Sequence, residues 1–284
     1  MLSWWQGKPM SNIITLTTDF GLQDEYVGVM KGVILSRSPG ATIVDLCHFI
    51  ARQDVCQAAM LIGSAYQYFP KGTVHVVVVD PGVGSARRLL LVSADNHYFL
   101  APDNGLLTLL IQHAGFVAAY HIDCPRHYIT PISATFHGRD IMAPVAALLA
   151  DGMAPDEVGP LLQRQELLTV HVAQPEINKD QHKVIGEVVA IDHFGNLLTN
   201  ICEKNIYDLV NAGSFSGVKV LVRNITIKGI QKAYAQEDSG NLLAIIGSRG
   251  FMEIAVNQGN GATNLDAEIG DKVAITTDEF PGSL

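Results

Sequence analysis

The chain lacks several patterns that would point to common kinds of chemistry. Its four cysteines, Cys47, Cys56, Cys124 and Cys202, contain no C-x-x-C pair. A disulfide framework or zinc knuckle needs paired sulfurs, so the thiols read as small buried hydrophobes of a reducing compartment, and a cytoplasmic location is expected. Ten histidines include no H-x-x-x-H or H-E-x-x-H spacing. No metal site and no cofactor are therefore expected. There is no G-x-x-x-x-G-K-[ST] loop and no G-x-G-x-x-G turn, which removes the usual signatures of nucleotide phosphates. No apolar run approaches the ~18 residues of a membrane span. Basic residues are few, 19 Lys and Arg against 28 Asp and Glu, giving a formal charge of −9. Nucleic acid and anionic membranes demand a basic face, so neither is expected as a partner. A cationic small molecule would suit this balance.

What is present suffices for a large core. Hydrophobic residues make up 48% of 284 residues, comfortable for two domains. From Ile13 the pattern alternates strand and helix. ITLTTD reads as a strand, followed by a helix opened by Asp24 with Val27, Met30 and Ile34 on one face. TIVDL is a second strand, and Asp54 is placed to cap a helix carrying Val55, Ala59, Ile62 and Tyr66. TVHVVVVD, LLLVSA and YFLAPD are further strands, and Asn104 to His113 and Arg139 to Ala150 read as helices. Runs apolar on both faces belong in a parallel sheet covered by helices, so an α/β domain is expected over residues 11–173. The polar stretch QPEINKDQHK suggests a linker over 174–182. Beyond it the apolar period becomes two, as in Val218, Val220 and Val222, which predicts an antiparallel β-barrel domain over 183–284. MLSWWQGKPM has neither the basic start nor the apolar middle of a signal peptide, and residues 1–10 are expected to be a disordered tail.

The polar residues that interrupt this pattern are the candidates for chemistry. In open parallel sheets ligands bind beyond the carboxyl ends of strands. Asp19 in TTDFG, Asp80 in VVDPGVG and Asp103 in APDNG all stand at such ends. Each could equally cap a turn. In VVVVDPGVGSARR, Gly82 and Gly84 allow the chain to fold back and bring Arg87 to Asp80, as a structural ion pair or as part of a site. His137 in TFHGRD lies in a sterically open position before a helix. DHFGNLLTN and GSRGFMEIAVNQGNGA are rich in groups that recognise amides and carboxylates, or else are tight β-turns.

Taken together, TTDFG, VVDPGVGSARR, APDNGLLT, TFHGRD, DHFGNLLTN and SRGFMEIAVNQGNGA, in that order, resemble the S-adenosylmethionine hydroxide adenosyltransferase family. These SAM hydrolases are related to the fluorinase and chlorinase enzymes. The resemblance implies an N-terminal α/β domain, a C-terminal β-barrel, and a homotrimer with active sites at subunit interfaces. It implies hydrolysis of S-adenosyl-L-methionine (SAM), the substrate, to adenosine and L-methionine, independent of metal. Asp80, Arg87 and His137 match the triad that activates water. Asp19 matches the carboxylate on the ribose hydroxyls, Asp192 the acid on the methionine ammonium, and Asn196 the amide on the adenine edge. Ser248 and Arg249 match the methionine-carboxylate region, Tyr234 an aromatic on the adenine, and Val256 a backbone contact there. Gln53 stands where the fluorinase stacks a tryptophan. Within the triad, His137 is expected to take the proton, since an imidazole titrates near neutrality. Two other functions are compatible with such a chain: a halide-using adenosyl-halide synthase and a non-catalytic SAM or adenosine sensor. Against the first, halide-using relatives have an uncharged residue in place of the triad acid and a serine where this chain has Gly138. Against the second, a binder needs no water-activating set.

Overall fold

The computed structural model describes residues 11–113, 115–209 and 217–277. The tail expected over 1–10 and the end of the second domain, 278–284, lie outside the described residues. The chain divides into two compact units, one ending at Val172 and the other beginning at Ala173.

The first unit contains β1 (Ile13–Thr18), α1 (Tyr26–Arg37), β2 (Thr42–Cys47), α2 (Val55–Ala65), β3 (Val74–Val78), β4 (Leu89–Ala94), β5 (His97–Pro102), α3 (Thr108–Gln112), β6 (Phe116–His121), α4 (Ala143–Ala150) and β7 (Leu161–Leu162). The strands form one sheet in the order β2-β1-β3-β5-β4-β6-β7. Its centre is apolar on both faces for a visible reason. Val74, Val76 and Val78 of β3 point to one core with Met30, Ile34, Val145 and Leu149 from α1 and α4. Val77 and Val79 point to another with Ala58, Ile62, Leu110 and Ile111 from α2 and α3. Each such side chain removed from water contributes on the order of 1.5–3 kcal/mol. Asp54 caps α2 as expected, its carboxylate accepting the Gln57 N–H at 2.8 Å.

The sheet is mixed rather than wholly parallel. β1, β2, β3 and β5 run parallel, but β4 is antiparallel to both β5 and β6, and β6 to β7. The reversal occurs at Asp95 and Asn96, whose φ angles of +48° and +63° make the two-residue turn that suits a right-twisted hairpin. A strand buried on both faces looks the same in sequence whichever way it runs. Two helices are also altered. The helix expected from Asn104 begins only at Thr108, and the one expected from Arg139 opens with a π-type turn over Gly138–Met142.

The second unit contains β8 (Glu176–Asn178), β9 (Lys183–Ile191), β10 (Leu197–Cys202), α5 (Glu203–Tyr207), β11 (Val218–Val222), β12 (Ile225–Lys228), β13 (Leu242–Ile246), β14 (Phe251–Val256), α6 (Gly261–Leu265) and β15 (Lys272–Thr277). The antiparallel order is β12-β11-β15-β9-β10-β14-β13, with β8 paired to β9. The Gln231 N–H donates to Ala244 O at 2.8 Å, joining the chain beyond β12 to β13 and nearly closing the sheet into a barrel. Val184, Val188, Val218, Val220, Val222, Met252, Ile254, Val273 and Ile275 fill its interior at the spacing of two that the sequence displays. Residues 174–182, expected as a linker, instead include β8. Its polar side chains are exposed because only the backbone is needed to pair with Lys183–Ile185.

Candidate active site

The topology of the first unit gathers its strand-end residues at one sheet edge. β1 and β3 are parallel neighbours, with Thr18 opposite Val78, so Asp19 and Asp80 emerge together. Beyond Asp80 the chain turns back on itself. Val83 N–H donates to Asp80 O at 3.3 Å, and Ser85 closes on Gly82 O through both its N–H (3.1 Å) and its hydroxyl (2.7 Å). Gly84 is required here: φ is +80°, and a Cβ would come within 2.3 Å of Ala134 O. This loop returns Arg87 to Asp80. The guanidinium Nε donates to Oδ1 at 2.7 Å and to Oδ2 at 2.8 Å, and Nη2 also donates to Oδ2. Both side chains are over nine-tenths buried, at 9% and 6% exposed.

Arg87 reaches His137 as well. Nη1 and Nη2 both lie 3.1 Å from His137 Nδ1. A guanidinium is donor only, so Nδ1 must accept, and a neutral His137 then carries its proton on Nε2. Burial, followed by the positive charge of Arg87, holds the His137 pKa below the ordinary histidine value of 6.5, with Asp80 and Asp140 opposing. The ring is therefore neutral near pH 7 and presents Nε2–H as a donor. Its one acceptor is already used, which argues against the expected role as proton acceptor. The guanidinium has five N–H groups. Among the described residues, those directed at Asp80 and His137 leave one on Nη1 for another ligand.

Asp19 stands beside this network. Phe20 and Phe136, the neighbours of Asp19 and His137, meet edge-on at 5.9 Å between centroids, and Tyr26 touches both at 5.7 and 5.3 Å. Asp19 Oδ2 accepts the Gln53 main-chain N–H at 2.8 Å, leaving Oδ1 without a donor among the described residues. Gln53 contributes its backbone here, at φ +64°, a conformation uncommon for a residue with a side chain. Asp103, the third strand-end acid, belongs to the scaffold. It is 3% exposed and pairs with Arg88 at 2.6 and 2.9 Å while accepting the Leu168 N–H at 2.9 Å. Asp140, fully buried, is pushed up by burial, but hydrogen bonds from Arg139 and the Ser133 N–H hold it below the usual carboxylate value.

The second unit contains a cavity of about 710 Å³ lined by Asp192, Asn196, Tyr234, Ser248, Arg249 and Val256, all six of the residues singled out there from sequence. Asp192 organises one wall. Its Oδ1 accepts the main-chain N–H groups of Phe194 and Asn196, and its Oδ2 accepts Asn196 Nδ2, each at 2.9 Å. That leaves the Asn196 amide oxygen without a donor among the described residues. Tyr234 donates its hydroxyl to Glu253 Oε2 at 2.9 Å. Burial, then the charges of Glu253 and Asp192, push its pKa up to about 12, so the phenol keeps its proton. Glu253 and Phe194 also line the cavity and were not singled out from sequence. In FMEIAV a glutamate reads as the outward residue of an alternating strand. Its one distinguishing mark is the glycine at 247, where a Cβ would fall 1.9 Å from Glu253 Oε1. Among the described residues no group of three or more His, Cys, Asp or Glu side chains could hold a metal ion. No helix there is long and apolar enough to cross a membrane.

Comparison with known proteins matches both units to one family. The model of the SAM hydroxide adenosyltransferase N-terminal domain matches residues 14–159, and that of the C-terminal domain residues 186–274. An (R)-S-adenosyl-L-methionine hydrolase of Thermus thermophilus is 36% identical over 265 residues, covering 91% of this chain and 97% of the relative. Another from Methanocaldococcus jannaschii is 32% identical over 277 residues, covering 93% and 95%. A fluorinase of Nocardia brasiliensis is 30% identical over 295 residues, covering 93% and 96%. An uncharacterized conserved protein from Thermotoga maritima, solved by crystallography, superimposes with a TM-score of 0.86 at 38% identity, covering 93% of this chain and 99% of that one. With both of its units matched in this way, the chain belongs to the SAM hydroxide adenosyltransferase family.

Proposed function

We propose that the protein hydrolyses SAM to adenosine and L-methionine by in-line attack of hydroxide at the ribose C5′. The observation that carries this reading is the Asp80–Arg87–His137 network, in a chain whose relatives are named as hydrolases of that substrate. The sulfonium makes C5′ electrophilic. As the C5′–O bond forms, the C5′–S bond breaks, its electron pair goes to sulfur, and methionine departs as a neutral thioether needing no acid. The difficulty lies in the nucleophile, because hydroxide is scarce at neutral pH. Arg87, through its remaining Nη1–H, and His137, through Nε2–H, supply donors that favour hydroxide over water, and the proton passes to solvent. Preorganised donors of this kind act without reorganising during reaction. Asp80 grips Arg87 with both oxygens and fixes the plane of the guanidinium.

The remaining roles follow the family resemblance. Asp19 takes the ribose hydroxyls beside Gln53, Asn196 and Tyr234 take the adenine with the backbone of Val256, and Asp192, Ser248 and Arg249 take the amino-acid end. A homotrimer with sites at subunit interfaces, a cytoplasmic location and independence of metal belong to the same proposal. Halide delivery is disfavoured because this chain keeps the acid Asp80 and has Gly138, where the halide-using relatives of the resemblance have an uncharged residue and a serine. The test is incubation of pure protein with SAM, with and without chelator, followed by chromatography. Equimolar adenosine and methionine, unaffected by chelator, are expected. Measurable SAM binding without product would make the protein a sensor and overturn the proposal.

A further inference from the structure

The second-unit cavity holds a carboxylate that the roles above leave unused. Glu253 is 8% exposed and lines the cavity from β14, whose alternate residues Met252 and Ile254 face the barrel interior. Its Oε2 accepts one neutral hydroxyl, that of Tyr234. Its Oε1 lies against Gly247 and has no donor among the described residues. Burying a carboxylate with a single neutral partner is costly unless a cation completes it. Arg249 lines the same cavity but makes no ion pair with Glu253 among the described contacts.

The position of this carboxylate identifies the end of the substrate it faces. Gly247 directly precedes Ser248 and Arg249, the pair assigned to the methionine carboxylate. Asp192 and Glu253 both line this cavity, and Tyr234, which also lines it, is hydrogen-bonded to Glu253. Asp192 already accepts three N–H groups from its own loop and has little capacity left for a three-donor ammonium. We infer that Glu253 is a second anionic anchor for the methionine ammonium. Asp192 and Glu253 take its N–H groups from two sides while Arg249 is left free for the carboxylate. Tyr234 occupies Oε2, which leaves Oε1, beside Gly247, as the oxygen available to the ligand. The cavity thereby selects sulfonium substrates that carry an α-amino group.

This inference rests on the SAM reading, and its test separates the two. Calorimetry measures the affinity of wild type and of Glu253→Gln for L-methionine and for its analogue with hydroxyl in place of the amino group. A charge-assisted hydrogen bond corresponds to about 10- to 100-fold in affinity. Glu253→Gln is expected to weaken methionine by that factor and to change the hydroxy analogue by less than about threefold. With SAM, KM should rise by a similar factor while kcat stays within about threefold. Equal losses for both ligands, or none for either, would overturn the assignment. If Glu253→Gln does not fold, Glu253→Asp keeps the charge but retracts it, and it should show the same ligand-dependent loss at smaller size. Failure of the wild type to hydrolyse SAM would sink the proposed reaction and leave the methionine comparison readable.

Discussion

Replacing His137 with glutamine and, separately, with alanine distinguishes a donor from a base. In the structure His137 accepts from Arg87 at Nδ1, with both guanidinium nitrogens at 3.1 Å, and keeps its proton on Nε2. A glutamine amide reproduces this pair of functions: its oxygen can accept from Arg87 and its NH₂ can donate onward. It cannot act as a base at any accessible pH. Removing one preorganised donor from a developing anion costs about 2.7–4 kcal/mol, roughly 10²- to 10³-fold in rate. His137→Ala should therefore lose that factor in kcat, whereas His137→Gln should stay within about tenfold of wild type. The assay is release of adenosine at saturating SAM, followed from pH 5 to 9. Protonation of His137 would remove the acceptor that Arg87 uses. Because burial and Arg87 depress its pKa, the part of the acid limb that His137 contributes in wild type should lie below 6.5, and that part should be missing from His137→Gln. A glutamine variant as slow as the alanine variant would refute the donor argument and restore His137 as the base.

Other consequences concern the scaffold. Arg88→Met breaks the pair with the buried Asp103, so it should cost about 3 kcal/mol by chemical denaturation. Its rate per folded molecule should nevertheless stay within about twofold of wild type. Gly84→Ala forces a Cβ to within 2.3 Å of Ala134 O at φ +80°, and should lower both the melting temperature and kcat by displacing Arg87. His75 is fully buried between Thr15 and His97, and burial pushes its pKa down to about 3. Below pH 6.5 the unfolded chain binds a proton there that the native state refuses, so stability should fall by about 1.4 kcal/mol per pH unit. His75→Gln should flatten that slope in denaturation curves taken between pH 7 and 5; an unchanged slope would place the effect elsewhere.

How much was readable beforehand depended on whether a feature is local. The loop from Asp80 to Arg87 is announced by its own glycines, and the structure closes it onto the same pair. Asp54 as a helix cap and the spacing of two along β11 are likewise local signals. Strand direction is not, because β3, β4 and β5 are all buried on both faces and only the Asp95–Asn96 turn reveals the reversal. Asp103 resembled Asp80 in sequence, and its different fate depends on Arg88 and on the Leu168 N–H, 65 residues away. The tautomer of His137 follows from a partner 50 residues distant. Glu253 was hidden because an acid on an alternating strand ordinarily faces water, whereas here the outer face of β14 forms a cavity wall.

Hydrolysis in water enriched in ¹⁸O bears most directly on attack at C5′. Mass spectrometry of the products should find one solvent oxygen in the 5′-hydroxyl of adenosine and none in methionine. Unlabelled adenosine would mean that a group other than solvent supplies the oxygen at C5′, and label in the amino-acid product would mean that water attacks on the methionine side of sulfur; either would contradict the account.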